Sequence, residues 1–286
     1  MKLRENCLGF ELHDGERFVA LYRAREELPR NESPKPCFAP IHTRSGALVT
    51  QYRPADHAWH TGLYFGWVHA NDANLWGGNW FLPETGTYEH VPNSHGVQRH
   101  DRFIEHRGVA NGAGITEELT WLDGSDQPIA TERREYRFRA LENGAGYFWT
   151  IETWITATGE RLVLGGSRAA RYSGLVLRMG PPFAPGRHRS SEGLVGHENI
   201  MGQRARWVAA AGADGGAVVM MDHPDNPRHP VTWFTREKLL GAGLLMEGDL
   251  EVDRREPLRL RYGFAILDQE PAVDEVEAAY AAYVRG

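Results

Sequence analysis

The sequence predicts an all-β chain, a large antiparallel β-sandwich closed by one C-terminal helix, and three observations carry that expectation. From residue 101 onward, strand-like stretches follow one another every ten to fifteen residues, separated by turn dipeptides at Asn111-Gly112, Asp123-Gly124 and Asn143-Gly144. Near the end, Leu258, Leu260, Tyr262, Phe264 and Ile266 alternate with Arg259, Arg261, Gly263 and Ala265, the period of two that marks a strand. No βαβ rhythm, internal repeat, low-complexity tract or linker interrupts the 286 residues, so residues 1–286 read as a single domain.

The elements follow in order. Leu8 to His13 and Arg17 to Tyr22 flank Asp14-Gly15, which accepts the positive φ angles of a tight turn, so the chain opens in a hairpin. Pro29, Pro34, Pro36 and Pro40 oppose both helix and central strand, so residues 28–41 are expected to form an irregular crossing or edge segment leading to His42. Leu63 to Val68 is a strand and Trp76 to Pro83 a glycine-broken aromatic loop. Strands are then expected at 102–109, 115–122, 130–140 and 146–157. The last carries Tyr147, Trp149, Ile151 and Ile155 on one face with Phe148 and Trp154 on the other, which predicts a strand covered on both sides. Further strands are expected at 161–164, 174–179, 205–211 and 216–221. The helix begins at Pro271, has Asp274, Glu275 and Glu277 near its positive end and carries one stripe of Val273, Val276, Tyr280 and Tyr283.

Composition narrows the function. Hydrophobic residues at 41% and charged residues at 24% suit a folded globular chain. A net charge of -6, with no Lys/Arg run, argues against nucleic-acid binding, which needs a basic face. Cys7 and Cys37 make no disulfide framework and read as free thiols. The segment MKLRENCLGF has no apolar signal core, and no window approaches the roughly 18 apolar residues needed to span a bilayer, so a cytoplasmic location and no membrane partner are expected. The sequence leaves the oligomeric state unassigned.

The candidate chemistry lies in three segments. His57 and His60 flank Trp59 in a loop rather than at a core position; the pair offers acid/base chemistry, half of a metal site or a ligand-stacking surface, and the ordinary alternative is two hydrogen-bonded loop histidines. His42 and His69 lie close in sequence, although no HExxH or CxxC motif completes a metal site. Asp222 to Trp233 places Asp222, His223, Asn226 and His229 in a proline-stiffened loop suited to binding, or equally to a rigid turn that caps its own backbone. Glu198, in the segment 192–202, is a candidate base, though an exposed glutamate is ordinarily only solvated. Arg168 and Arg171 are suited to hold a carboxylate or hydroxyl groups, and Trp59, Trp76, Trp80 and Trp233 to stack on a sugar face, with ion pairing and core burial as the ordinary fates. His95 and His100 are weaker candidates.

The motifs KPCFAPIHTRSG, DHAWHTGL, NLWGG, ENIMGQRARW and DHPDNPRHPVTWF together resemble the PmoA-like family of soluble bacterial proteins of unknown function, over nearly the whole chain. That family takes its name from a methane monooxygenase subunit, a membrane-embedded protein, and the lack of a transmembrane segment contradicts such an activity here. Where the family pattern is close to HPWHHGL, this chain has Ala58 for the proline and Thr61 for the second adjacent histidine; where relatives commonly read FHP, it has Phe38-Ala39-Pro40. The resemblance implies a supersandwich of the galactose-mutarotase kind and a carbohydrate role.

Together these readings lead to an enzyme that acts on a sugar or sugar derivative by proton transfer, as an epimerase, mutarotase, lyase or hydrolase, with a small-molecule carbohydrate as its partner. His57 or His60 is the expected acid and His229 or Glu198 the base. Trp59, Trp76, Arg168, Arg171, Asp222, His223, Asn226 and Trp233 position the ligand, which requires the two histidine segments to share one cleft. No GxGxxG or P-loop signature points to a nucleotide cofactor. A noncatalytic carbohydrate-binding protein and a divalent-metal-dependent sugar enzyme using His57, His60 and His229 are the alternatives.

Overall fold

Strands whose two faces are both apolar need a covering layer on each side, and the chain supplies them. The computed structural model describes residues 1–82, 84–109, 112–165, 172–213 and 215–286. In chain order the strands are β1 (Lys2–Asn6), β2 (Gly9–Asp14), β3 (Arg17–Arg23), β4 (Cys37–Ile41), β5 (Leu63–Trp67), β6 (His69–Ala70), β7 (Trp80–Leu82), β8 (Thr87–Glu89), β9 (Val97–Val109), β10 (Gly112–Leu122), β11 (Pro128–Ala140), β12 (Gly146–Ala157), β13 (Arg161–Gly165), β14 (Ser173–Arg178), β15 (Arg187–Ser190), β16 (Trp207–Ala211), β17 (Ala217–Asp222), β18 (Trp233–Arg236), β19 (Leu239–Ala242), β20 (Leu250–Asp253) and β21 (Leu258–Leu267). A helical turn, α1 (His197–Ile200), precedes β16, and a longer helix, α2 (Val273–Arg285), follows β21.

Two eight-stranded antiparallel sheets dominate. The first runs β1-β2-β3-β4-β5-β14-β19-β18 and the second β15-β16-β17-β21-β12-β11-β10-β9, with a three-stranded sheet β20-β13-β6 and the hairpin β7-β8 besides. Alternation sorts the side chains. Phe38, Phe65, Leu177 and Trp233 of the first sheet meet Trp121, Trp149, Met220 and Phe264 of the second in one core. The opposite parity of the first sheet, Cys37, Tyr64, Val176, Phe234 and Leu239, faces a layer of loops. The opposite parity of the second, Phe148, Trp207, Val219 and Met221, faces Val276, Tyr280 and Tyr283 of α2. The expected two-sided cover of β12 is therefore met, by α2 over Phe148 and by the guanidinium groups of Arg133 and Arg259 over Trp154.

Some boundaries differ from expectation. Residues 37–41 form an internal strand despite Pro40: the β3–β4 ladder shifts register between Ala20 and Tyr22, and a proline with no N–H is tolerated at such an irregularity. Trp80 to Leu82 is a short strand paired with Thr87 to Glu89 rather than pure loop. The helix starts at Val273, two residues after Pro271, and the Glu275 carboxylate accepts the Ala272 N–H at 2.8 Å. Val273 is exposed, so the stripe reduces to Val276, Tyr280 and Tyr283. Cys7 is exposed and Cys37 buried, both as free thiols, and burial pushes the Cys37 thiol up to about 12. Among the described residues no helix is long and apolar enough to cross a membrane.

Candidate functional site

The loop before β5 is built from successive tight turns. The His57 N–H donates to the Pro54 carbonyl at 2.9 Å and the His60 N–H to the His57 carbonyl at 3.0 Å. This brings the two imidazoles into a stack, with ring centroids 4.9 Å apart and planes 22° from parallel. Arg53 anchors the loop: its guanidinium forks onto both oxygens of the buried Glu32 at 2.7 Å each, and its N–H donates to the His60 carbonyl. Trp59 lies against Gly77-Gly78. A Cβ on Gly77 would fall 2.4 Å from the Trp59 Cβ and one on Gly78 2.5 Å from its indole, which explains the paired glycines of NLWGG by packing, while their φ angles of 103° and 73° suit glycine independently. The Lys35 ammonium reaches the carbonyls of Glu32, Ser33 and Trp76 and so joins the proline segment to the glycine loop.

The two histidines occupy different environments. His57 is half-exposed, with Nδ1 2.9 Å from Asp56 Oδ2, and this pairing holds the Asp56 carboxyl below its usual range. His60, expected outside the core, is 4% exposed and sits among Trp59, Tyr64 and Trp76, with centroids 5.8, 6.5 and 5.8 Å away. Burial first, then the positive charge of Arg178, pulls its pKa to about 2, so it is a neutral imidazole at physiological pH. Among the described residues its Nδ1 and the hydroxyl of buried Tyr64 have no hydrogen-bond partner. Trp76 packs on Tyr172 at 4.5 Å and Tyr172 on Phe234 at 4.9 Å, extending the aromatic floor across β5, β14 and β18.

Arg178 was not among the candidates. It follows Val176 by two residues on β14 and therefore shares the outward face with Tyr64. Its side chain is 7% exposed; Nε donates to Gln51 Oε1 at 3.3 Å and Nη2 lies 3.8 Å from Asp56. The signal in the sequence was an arginine ending an otherwise apolar strand, LVLR.

The Asp222–Trp233 segment goes elsewhere. Asp222 is fully buried; its Oδ2 accepts the Val231 N–H at 2.9 Å and lies 2.7 Å from His229 Nδ1. The amide of Asn226 donates to the Arg261 carbonyl and accepts the Arg261 N–H, both at 2.7 Å, replacing the strand neighbour that β21 lacks beyond the end of β17. His223 continues the outward parity of Val219 and Met221, packs on Tyr283 of α2 at 5.3 Å and receives Arg261 Nη1 at 2.9 Å. His57 and His60 therefore lie on the outer face of the first sheet and His223 on the outer face of the second. Among the described residues no hydrogen bond, ion pair or ring contact joins the two histidine segments.

The remaining candidates scatter. Trp233 is in the inter-sheet core, donating Nε1–H to the Ala205 carbonyl at 2.8 Å, whereas Trp80 packs on His69 at 4.3 Å. Glu198 is exposed on α1. His42 packs on Phe18, His95 pairs with the Gly78 carbonyl at 2.7 Å and His100 with Glu117 at 2.7 Å. Arg168 and Arg171 lie outside the described residues. Among the described residues no group of three His, Cys, Asp or Glu side chains is placed to hold a metal ion.

A family model described as "Family of unknown function (DUF6807)" matches residues 10–281, from β2 into α2, and so takes in both sheets and both histidine segments. The chain belongs to that family. No curated protein matches it. Among solved structures, a crystal structure of a heparan sulfate lyase HepC mutant from Pedobacter heparinus is similar over 63% of this chain at 8% identity and a TM-score of 0.29. The chain covers 23% of that lyase chain.

Proposed function

We propose that the loop-covered outer face of the first sheet binds a sugar or sugar derivative and that His57 transfers a proton to or from it. The observation that carries this reading is the division of labour within one stack: a half-exposed imidazole beside the Asp56 carboxylate, resting on a buried imidazole that stays neutral. With Nδ1 at ion-pair distance from a carboxylate, Nε2 is the atom left to face a ligand, as a general acid or base requires. His60 takes no charge, so its part is to orient a ligand hydroxyl through Nδ1. Trp59, partly exposed beside both imidazoles, offers the apolar ring face on which a pyranose packs. The motif resemblance to PmoA-like proteins supports the same substrate class. A histidine that takes a proton and returns it to a leaving oxygen on the same face fits elimination; epimerisation, mutarotation and hydrolysis need a second proton carrier or a water beside it.

In this reading His229 serves the loop rather than the reaction: Asp222 ties its Nδ1 into the turn, and among the described residues no hydrogen bond, ion pair or ring contact joins it to the face that carries His57. Calorimetric titration of a neutral and acidic sugar panel, run beside NMR detection of conversion, tests the proposal. His57→Ala is expected to lower turnover roughly 100-fold while preserving binding and the unfolding midpoint, in line with the worth of one proton-transfer group. Conversion by His57→Ala at the wild-type rate would remove the catalytic assignment, and binding without conversion across the panel would make the protein a carbohydrate-binding module. Full activity after chelator dialysis, with no stoichiometric metal by elemental analysis, is the result expected if no divalent ion takes part.

A further inference from the structure

We propose that the ligand of this face carries a carboxylate, as in a uronic or aldonic acid, and that Arg178 is the residue that selects it. The inference rests on the outer face of the first sheet being the ligand site. A guanidinium taken out of water is stable only when its donors meet acceptors, and a buried arginine is ordinarily matched by a carboxylate at contact distance. Among the described residues the other buried arginine, Arg134, obeys that rule, with Nε 2.6 Å from Glu132. Arg178 is nearly as buried and has no such partner among the described residues: Nε reaches a neutral amide at 3.3 Å, and the closest acid, Asp56, is 3.8 Å away, 63% exposed and itself 2.9 Å from His57.

Further polar groups on the same face are also unmet. Among the described residues His60 Nδ1 and the Tyr64 hydroxyl are buried without hydrogen-bond partners, as is His57 Nδ1, and the His60 and Tyr64 side chains feel the charge of Arg178. A fork of N–H donors, a phenolic O–H and a neutral imidazole are the groups that a planar anion with an adjacent hydroxyl would engage. Charge decides which anion. Arg178 supplies a positive charge and His60 none, while Lys35, over the Tyr64 ring, has its Nζ taken up by three backbone carbonyls and its pKa lowered by burial to about 7. That balance matches a carboxylate monoanion better than a phosphate carrying nearly two negative charges.

The probes are D-glucuronate and D-galacturonate, compared with D-glucose, D-galactose and glucose 6-phosphate, by calorimetry and by the fluorescence of the tryptophans in the intact protein. Wild type is expected to bind a uronate roughly 10- to 100-fold more tightly than the matching neutral sugar, the worth of a charge-assisted hydrogen-bond pair. Arg178→Gln, which retains an amide partner for Gln51, is expected to erase that preference. Arg178→Lys keeps the charge without the fork and is expected to recover only part of it. Because an arginine so buried can matter to folding, Tyr64→Phe is the second variant: it removes an unpartnered buried hydroxyl, so the unfolding midpoint is expected to hold or rise while uronate affinity falls. Equal affinity for glucose and glucuronate, tighter binding of glucose 6-phosphate, or no uronate binding by wild type would each overturn the carboxylate assignment. Neutral-sugar binding that is lost in Trp59→Ala but indifferent to Arg178→Gln would overturn it while leaving the sugar-binding reading standing.

Discussion

His57 and His60 share a loop and a ring stack, yet three residues of spacing put one imidazole at the solvent edge and the other beneath it. The consequence for stability has a definite sign. The folded-state pKa of His60, about 2, lies below its ordinary 6.5, so as pH falls through 6.5 the unfolded chain takes up a proton that the folded chain refuses. Stability from this group is fully present above 6.5 and falls on acidification, with a limiting slope of about 1.4 kcal/mol per pH unit. Denaturant unfolding at a series of pH values is expected to show a shallower acid slope in His60→Asn. The slope does not vanish, because burial also lowers the pKa of His42, His69, His95 and His188. An unchanged slope in the variant would mean that His60 is hydrated.

At the scale of elements, each histidine segment is held by contacts of its own. Arg53 on Glu32 fixes the histidine loop, and the glycine pair leaves room for Trp59. On the far side, α2 is fastened by Glu277, which accepts from both Nη atoms of Arg206 at 2.8 and 2.9 Å and from Trp207 Nε1 at 3.0 Å. Tyr280 and Tyr283 fill the space over Trp207 and Phe148. Tyr283→Ala is expected to cost about 3 kcal/mol, as for other large-to-small aromatic changes, and to leave the sugar binding proposed for the first sheet unaltered. A loss of sugar affinity in that variant would tie the two outer faces together and contradict their separation.

Across the whole molecule, the sandwich is clasped by polar groups in an otherwise apolar interior. Glu132 receives Arg134, the Trp121 indole at 2.7 Å and the Thr153 hydroxyl at 2.6 Å; Arg134 reaches Gln98 at 3.0 Å, and Gln98 donates to the Phe65 carbonyl of the first sheet at 2.8 Å. Glu117 of the second sheet receives the hydroxyl of Tyr22 from the first, together with His100. Removing one partner strands a charge, so Glu132→Ala is expected to destabilise by about 3–5 kcal/mol, whereas Glu132→Met combined with Arg134→Met is expected to cost less, the remainder coming from the Trp121 indole and Thr153 hydroxyl left without their acceptor. Chemical denaturation measures both. A Glu132→Ala variant as stable as wild type would show that water enters the network. The phenolic pKa of Tyr22 is held well above its usual value, by burial first and then by Glu117, so this clasp stays protonated through the alkaline range.

The sequence by itself determined the opening hairpin and the long strands, because a period of two and the turn dipeptides are local: the hairpin at Asp14-Gly15 and strands β10 to β12 lie close to where the pattern puts them, whereas short strands such as β1, β15 and β18 to β20 carry too few residues to show a period. It also named His57, Trp59, His60 and Trp76, which the fold brings into ring contact on one face. Only the tertiary structure decided that β14 turns Leu175 and Leu177 inward and presents Arg178 outward, that Trp233 faces the core, and that His223 belongs to the opposite face of the sandwich. The reason is that alternation says which residues share a face of one strand. When both faces are covered it cannot say which of them looks toward the other sheet, and pairing between strands far apart in sequence is set by contacts that no local window contains.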